Sequence, residues 1–323
     1  MNKILGTLCA LVSSAALVTQ DAPASATATA PAPVAIQPTK LDAGPAVKGP
    51  RLQGNVVVDG DVSVPVPGKR VVLLGAAGQG YVVVVRRQGI WATLRVAPDR
   101  DPKTLALKTT PDEVVLADDG ATIAVTASQD GGSTRFVVRS ARSGKRIESE
   151  TFGGFPRVLD LDQNLAIIGG FDSGAISWDY STDLTAAITG KPTYAADISS
   201  DRLAYFTKDP YNGGCSVVSM ITAPDKRLWK SCGERIEDFN NSGNRIATVH
   251  ILSDGLGPNR VWERTVSGTL LASYTVGYYF GAIEWETNTD LLLDAYGPKK
   301  WATVRVSEGD AERASELRPT PEL

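Results

Sequence analysis

From Asn55 onward, apolar runs alternate with short polar turns. Tyr81-Val82-Val83-Val84-Val85, Arg135-Phe136-Val137-Val138-Arg139 and Trp301-Ala302-Thr303-Val304-Arg305-Val306 are rich in Val, Ile, Tyr and Thr, and Gly, Asp, Asn and Ser separate such runs. Apolar residues at helical spacing, with caps, are not sustained anywhere along the chain, so the pattern predicts an all-β protein.

The runs repeat. A polar turn leads into an apolar strand at Asp118-Asp119-Gly120-Ala121-Thr122-Ile123-Ala124, at Ser199-Ser200-Asp201-Arg202-Leu203-Ala204 and at Asn241-Ser242-Gly243-Asn244-Arg245-Ile246-Ala247. Weaker copies precede Tyr81, Leu165 and Leu291. The strand anchors 81, 123, 165, 203, 246 and 291 recur every 38 to 45 residues. Four short strands in a unit of that length form one blade of a β-propeller, and stacking blades in a ring buries both faces of each sheet. A sandwich does not explain such a period.

The turn Ser/Asp-x-Gly before an apolar-Ala strand, and hairpins such as Arg142-Ser143-Gly144-Lys145 and Val266-Ser267-Gly268-Thr269, resemble the WD40-like and TolB-like propeller superfamily over residues 55–318. Trp178-Asp179 occurs once, and His250, the single histidine, is outside any Gly-His pair, so the resemblance is one of architecture. It implies a single propeller over 51–319, with six blades of four antiparallel strands at about 69–318 and a tail at 320–323. Residues 51–68 are left over, and their strand 55–64 is expected to complete the last blade and close the ring. The alternative makes them part of a seventh blade.

The N-terminus adds a compartment. Lys3 precedes the uncharged apolar run Ile4 to Val18, and Ala24-Ser25-Ala26 offers a cleavage site, which predicts a signal peptide over 1–26. The apolar run is short of the roughly 20 residues of a spanning helix. Residues 27–50, mostly Ala, Pro, Thr and Val, read as a disordered spacer. The expected product is extracellular or in the cell envelope, monomeric, and without a membrane span once the signal is removed. The chain has 33 Lys and Arg against 36 Asp and Glu, a net charge of -3, so nothing in its charge draws nucleic acid.

Cys215 and Cys232 flank the hairpin turn Ala223-Pro224-Asp225-Lys226 almost symmetrically, so they face each other across two paired strands. An exported chain allows their oxidation, and a structural disulfide is expected.

Candidate chemistry is sparse. One histidine and three cysteines exclude a histidine-built metal or catalytic site, and no Gly-x-Ser-x-Gly nucleophile motif occurs. No cofactor and no metal is expected. Asp160-Leu161-Asp162-Gln163-Asn164 starts like a calcium loop, but Leu165 stands where the loop needs glycine. Two sets of residues remain. Phe155, Tyr194, Tyr211, Tyr278 and Tyr279 lie in loops that share one face of a propeller disc and suit contact with a protein or an envelope glycan. Asp160, Asp197, Asp238 and Glu284 precede the anchor strands and fall on the innermost strands, around the channel. The first set predicts a secreted, non-catalytic binding module. The second allows a carboxylate-based glycosidase or lyase, or simple hydrogen bonding to the neighbouring blade. A structural domain with no ligand is the third possibility.

Overall fold

A computed structural model of the chain describes residues 31–321. The predicted signal peptide lies outside the described residues. Among those described, seven sheets follow one another along the chain. Blade 1 has three strands, Arg51–Gln53, Val56–Asp59 and Val62–Pro65. Blades 2 to 5 have four each and span 69–107, 114–153, 157–189 and 193–231. Blade 6 (234–276) and blade 7 (279–319) carry a fifth strand. Consecutive strands within a blade are antiparallel neighbours. The first strands of most neighbouring blades touch one another, which places them at the axis. The fold is a single all-β propeller.

The count is seven, the alternative, rather than six. Residues 55–64 do not complete the last blade. Gly54 and Gly60, with φ of +61° and +55°, make two tight turns that fold 51–65 into a meander of its own. It packs on blade 2 through Val57, Val64 and Val66. Residues 31–50, predicted as a disordered spacer, are ordered from the point where the description begins. Val34–Ile36 pairs in parallel with the outer strand Leu270–Val276 of blade 6, and Ile36 enters the core between blades 6 and 7. The apolar Val34, Ile36 and Leu41 supply the burial that the Ala/Pro composition concealed.

Six apolar clusters hold the ring, one for each seam from blade 1–blade 2 to blade 6–blade 7. The second strands explain this. Residues 82–85 of Tyr81–Arg87, and Leu165–Gly170, carry no charged or polar side chain at consecutive positions because both faces are covered. Leu291–Tyr296 of blade 7 instead alternates buried and half-buried residues. Leu291, Leu293 and Ala295 face blade 6, and Leu292, Asp294 and Tyr296 face the other way.

In blade 5, Ser216 pairs with Ser231, and the next pair outward is the disulfide Cys215–Cys232, with a Cα separation of 4.0 Å. The hairpin register predicted for the cysteines is the one observed.

Candidate functional site

Antiparallel order puts the turns between first and second strands on one face of the disc. The loops between second and third strands, and those between blades, lie on the opposite, loop face. The carboxylates gather at the turn-face mouth of the channel. A cavity of about 550 Å³ there is lined by Asp118, Asp160, Asp197 and Asp238, with Asn241 and Trp285. Asp118, on the turn of blade 3, was not singled out in the sequence, although its Asp-Asp-Gly turn was.

Asp160 and Asp238 hold the same position, one residue before a buried apolar residue that pairs with the second strand. Each also sits beside a bulge that turns its side chain toward the neighbouring blade. Asp160 accepts hydrogen bonds from Leu161 N at 2.8 Å and from Ile198 N of blade 5 at 2.6 Å. Asp238 accepts from Phe239 N at 2.9 Å and from Trp285 N of blade 7 at 3.0 Å. Burial is the largest cause that pushes both carboxyls up to about 7, and neighbouring carboxylates add to it while the amide hydrogen bonds oppose it. The neighbouring carboxylates that add to the rise are Asp118 and Asp197 for Asp160, and Glu284 and Asp197 for Asp238.

Asp197 serves its own turn, accepting from Ser199 Oγ and from Ser200 N and Oγ. Glu284 stands apart from this cavity, in a cleft beside blade 7, where burial and then Asp294 raise its carboxyl. Three of the four predicted carboxylates thus share this cavity, and Glu284 does not. Two tie a blade to its neighbour's backbone, one caps a turn, and one faces a different cleft. Among the described residues, no group of three or more His, Cys, Asp or Glu is placed to hold a metal ion.

The loop face differs. Phe155, Phe171, Tyr211 and Tyr278 are the exposed aromatic rings among the large apolar side chains at the surface, and all four lie there. They run from the blade 3–blade 4 loop to the blade 6–blade 7 loop, with exposed Leu252 and Leu256 between. Phe171, Tyr278 and Tyr211 are held from behind. Phe171 stacks on Phe206 at 5.6 Å between centroids, and Phe206 on Tyr194 at 4.3 Å. Tyr278 meets Tyr279 edge-on at 5.0 Å, and Tyr279, Tyr296 and Trp301 stack in turn at 4.4 and 4.8 Å. Tyr211 donates from its hydroxyl to Asp254 Oδ2 at 2.9 Å, and the Asp209 carboxylate accepts from its amide. A cavity of about 420 Å³ opens between Phe171, Phe206, Tyr211, Ile236 and Leu252, with Arg157 at its edge.

The predicted aromatics thus divide. Phe155, Tyr211 and Tyr278 are exposed. Tyr194 is a wedge: its hydroxyl bonds Ser216 Oγ at 2.6 Å and accepts from Ile236 N of blade 6 at 3.0 Å, and burial pushes it up to about 12. Tyr279 is partly covered by its stack. Phe171, Leu252 and Leu256 were not singled out. Phe171 follows Gly169-Gly170 at a strand end, where an aromatic ring in a turn was the available signal. His250 is exposed at its strand end, where Nδ1 accepts from Leu252 N.

No family model matches the chain. No curated protein matches it either. Solved structures do. An acylaminoacyl peptidase aligns with a TM-score of 0.55 at 8% identity, covering 84% of this chain and 52% of that one. The uncharacterized protein lmo1340 of Listeria monocytogenes EGD-e aligns at 0.53 and 13%, covering 76% and 83%. The Swd1 β-propeller domain of Myceliophteria thermophila aligns at 0.51 and 8%, covering 78% and 90%. At such identities the likeness establishes the fold alone, a β-propeller.

Proposed function

We propose that the protein is a non-catalytic binding module, exported to the envelope or beyond, whose loop face docks a protein partner. The observation that carries this reading is the gathering of the exposed aromatic rings on one face, with Phe171 and Tyr278 ordered by stacking and Tyr211 by hydrogen bonds. Rings fixed before binding lose little entropy on contact, and aromatic anchors dominate protein interfaces. Phenylalanine and leucine contribute apolar area and no side-chain hydrogen bonds. A strip of Phe155, Phe171, Leu252 and Leu256 therefore favours a protein surface over a glycan. The use of Asp160 and Asp238 by backbone amides favours binding over carboxylate catalysis. The disulfide supports an oxidising compartment.

The test is site-specific photocrosslinking in the cells that make the protein. A photoreactive residue at 155, 171 or 211 is expected to give one discrete protein adduct, while the same probe at Thr182 or Ser267 on the turn face gives none. The adduct should disappear in the Phe171→Ser/Tyr211→Ser background. Equal labelling from both faces, or no adduct from the loop face, contradicts the reading.

A further inference from the structure

Seven seams close the ring, and the described residues form apolar clusters at six of them. The seam without one joins blade 7 to blade 1. Blade 7 turns Glu284, Leu292, Asp294, Trp301 and Thr303 toward it, and blade 1 brings Leu52 and Gln53. Between them lies a cleft of about 850 Å³. Blade 1, with three strands, also lacks the outer strand that the other blades have.

The segment 38–50 runs into this seam; Leu41 packs on the blade 6–blade 7 core, and the rest of the segment is held by polar contacts. Arg305, only 8% exposed, pairs with Glu286 and Glu312, both at 2.6 Å, and donates to the carbonyls of Pro45 and Ala46 at 3.1 and 3.3 Å. Arg313 donates to Leu41 O at 3.0 Å, and Lys48 N donates to Glu286 Oε1 at 2.6 Å. The cleft reaches the channel wall: Glu284 lines it from the innermost strand, and its charge acts on Asp238 inside the channel.

We propose that the blade 7–blade 1 seam is a lateral gate of the ring and that segment 38–50 is its clasp. Leu52, Leu292 and Trp301 already line an open cleft here, so parting this seam exposes little further apolar surface, and it opens before seams sealed by aliphatic side chains. The hydrogen bonds of the clasp are replaced by water on opening, and their net contribution is modest. The opening admits solvent, or a segment of a bound molecule, to the channel from the side. This inference does not depend on the loop-face reading.

Pulsed electron paramagnetic resonance tests it in the full chain carrying Cys9→Ser, with the native disulfide intact. Spin labels at Val62→Cys and Lys299→Cys span the gate. Labels at Ile147→Cys and Leu184→Cys, on the outer strands of blades 3 and 4, span a sealed seam. The gate pair should show a second, longer distance, and Arg305→Met should at least double its fraction. The control pair should show one narrow distance in both backgrounds. One narrow distance for the gate pair with and without Arg305→Met overturns the proposal, as does equal broadening of both pairs. If Arg305→Met does not fold, the comparison of the two pairs in the parent chain decides.

Discussion

Trp178 of blade 4 and Trp301 of blade 7 both lie on third strands, in different surroundings. Trp178 is fully buried in the blade 3–blade 4 seam, edge-on to Phe152 and Tyr180, with its Nε1 donating to Asp183. Trp301 is half-covered beside the open cleft, between Tyr296 and the Arg318 guanidinium. One seam is sealed by dispersion and burial, and the other by a few charged hydrogen bonds. The ring therefore has a strong part and a weak part. A propeller needs both faces of every blade covered, and here the last pair of faces is covered by segment 38–50 and an arginine.

The largest effect should follow from breaking a sealed seam. Trp178→Ala should cost about 4 kcal/mol in denaturant unfolding, because a large ring leaves a cavity among fixed neighbours. Arg305→Met should come next, at about 3 kcal/mol, because it leaves the buried Glu286 without its cation. That loss should appear first as faster proteolysis within 38–50, while Trp178→Ala loosens the whole ring.

Acidity acts on the sealed part. Asp160 and Asp238 titrate at about 7 when folded, above their unfolded value of 3.8. A raised carboxyl binds more protons folded than unfolded, so this contribution is complete below about pH 4 and lost as pH rises through 7. The Tm should fall by roughly 5 °C over that window through these two groups, after allowance for their partial exposure. In Asp160→Asn/Asp238→Asn the slope should be flatter. Trp301→Ala should be the smallest perturbation, at roughly 1 kcal/mol, since its ring is already half in water. A cost equal to that of Trp178→Ala would erase the contrast between the seams.

Much of this contrast was written in the chain. The run Tyr81 to Val85 is apolar at every position, as a strand covered on both faces must be. Leu291-Leu292-Leu293-Asp294-Ala295-Tyr296 breaks into alternation at Asp294, and that break marks the open seam. The cysteine register also followed from hairpin symmetry. Blade 1 entered only as the alternative because its three strands and two glycine turns fit into fifteen residues, too short for the period of the other repeats. The order in 31–50 was missed because composition weighs Ala and Pro over the few apolar residues that find a neighbour.

The candidate sites were less legible. Tyr194 and Tyr211 both stand near turns, and only packing decides that Phe206 and Ser216 cover the first while the second points outward. Asp160 and Asp238 lie on the first strands of their blades. That their oxygens would meet Ile198 N and Trp285 N depends on how far each blade is rotated against the next.

Native-state hydrogen exchange read residue by residue tests most directly the claim that one seam is weak. The backbone amides that hold segment 38–50 to blade 7, at Gly44, Val47 and Arg313, should exchange through a local opening at least a hundredfold faster than those of Leu165–Gly170, and low denaturant should hardly change their rate. Equal protection at both places, with the same denaturant dependence, would mean that the ring opens only by unfolding as a whole and would contradict the account.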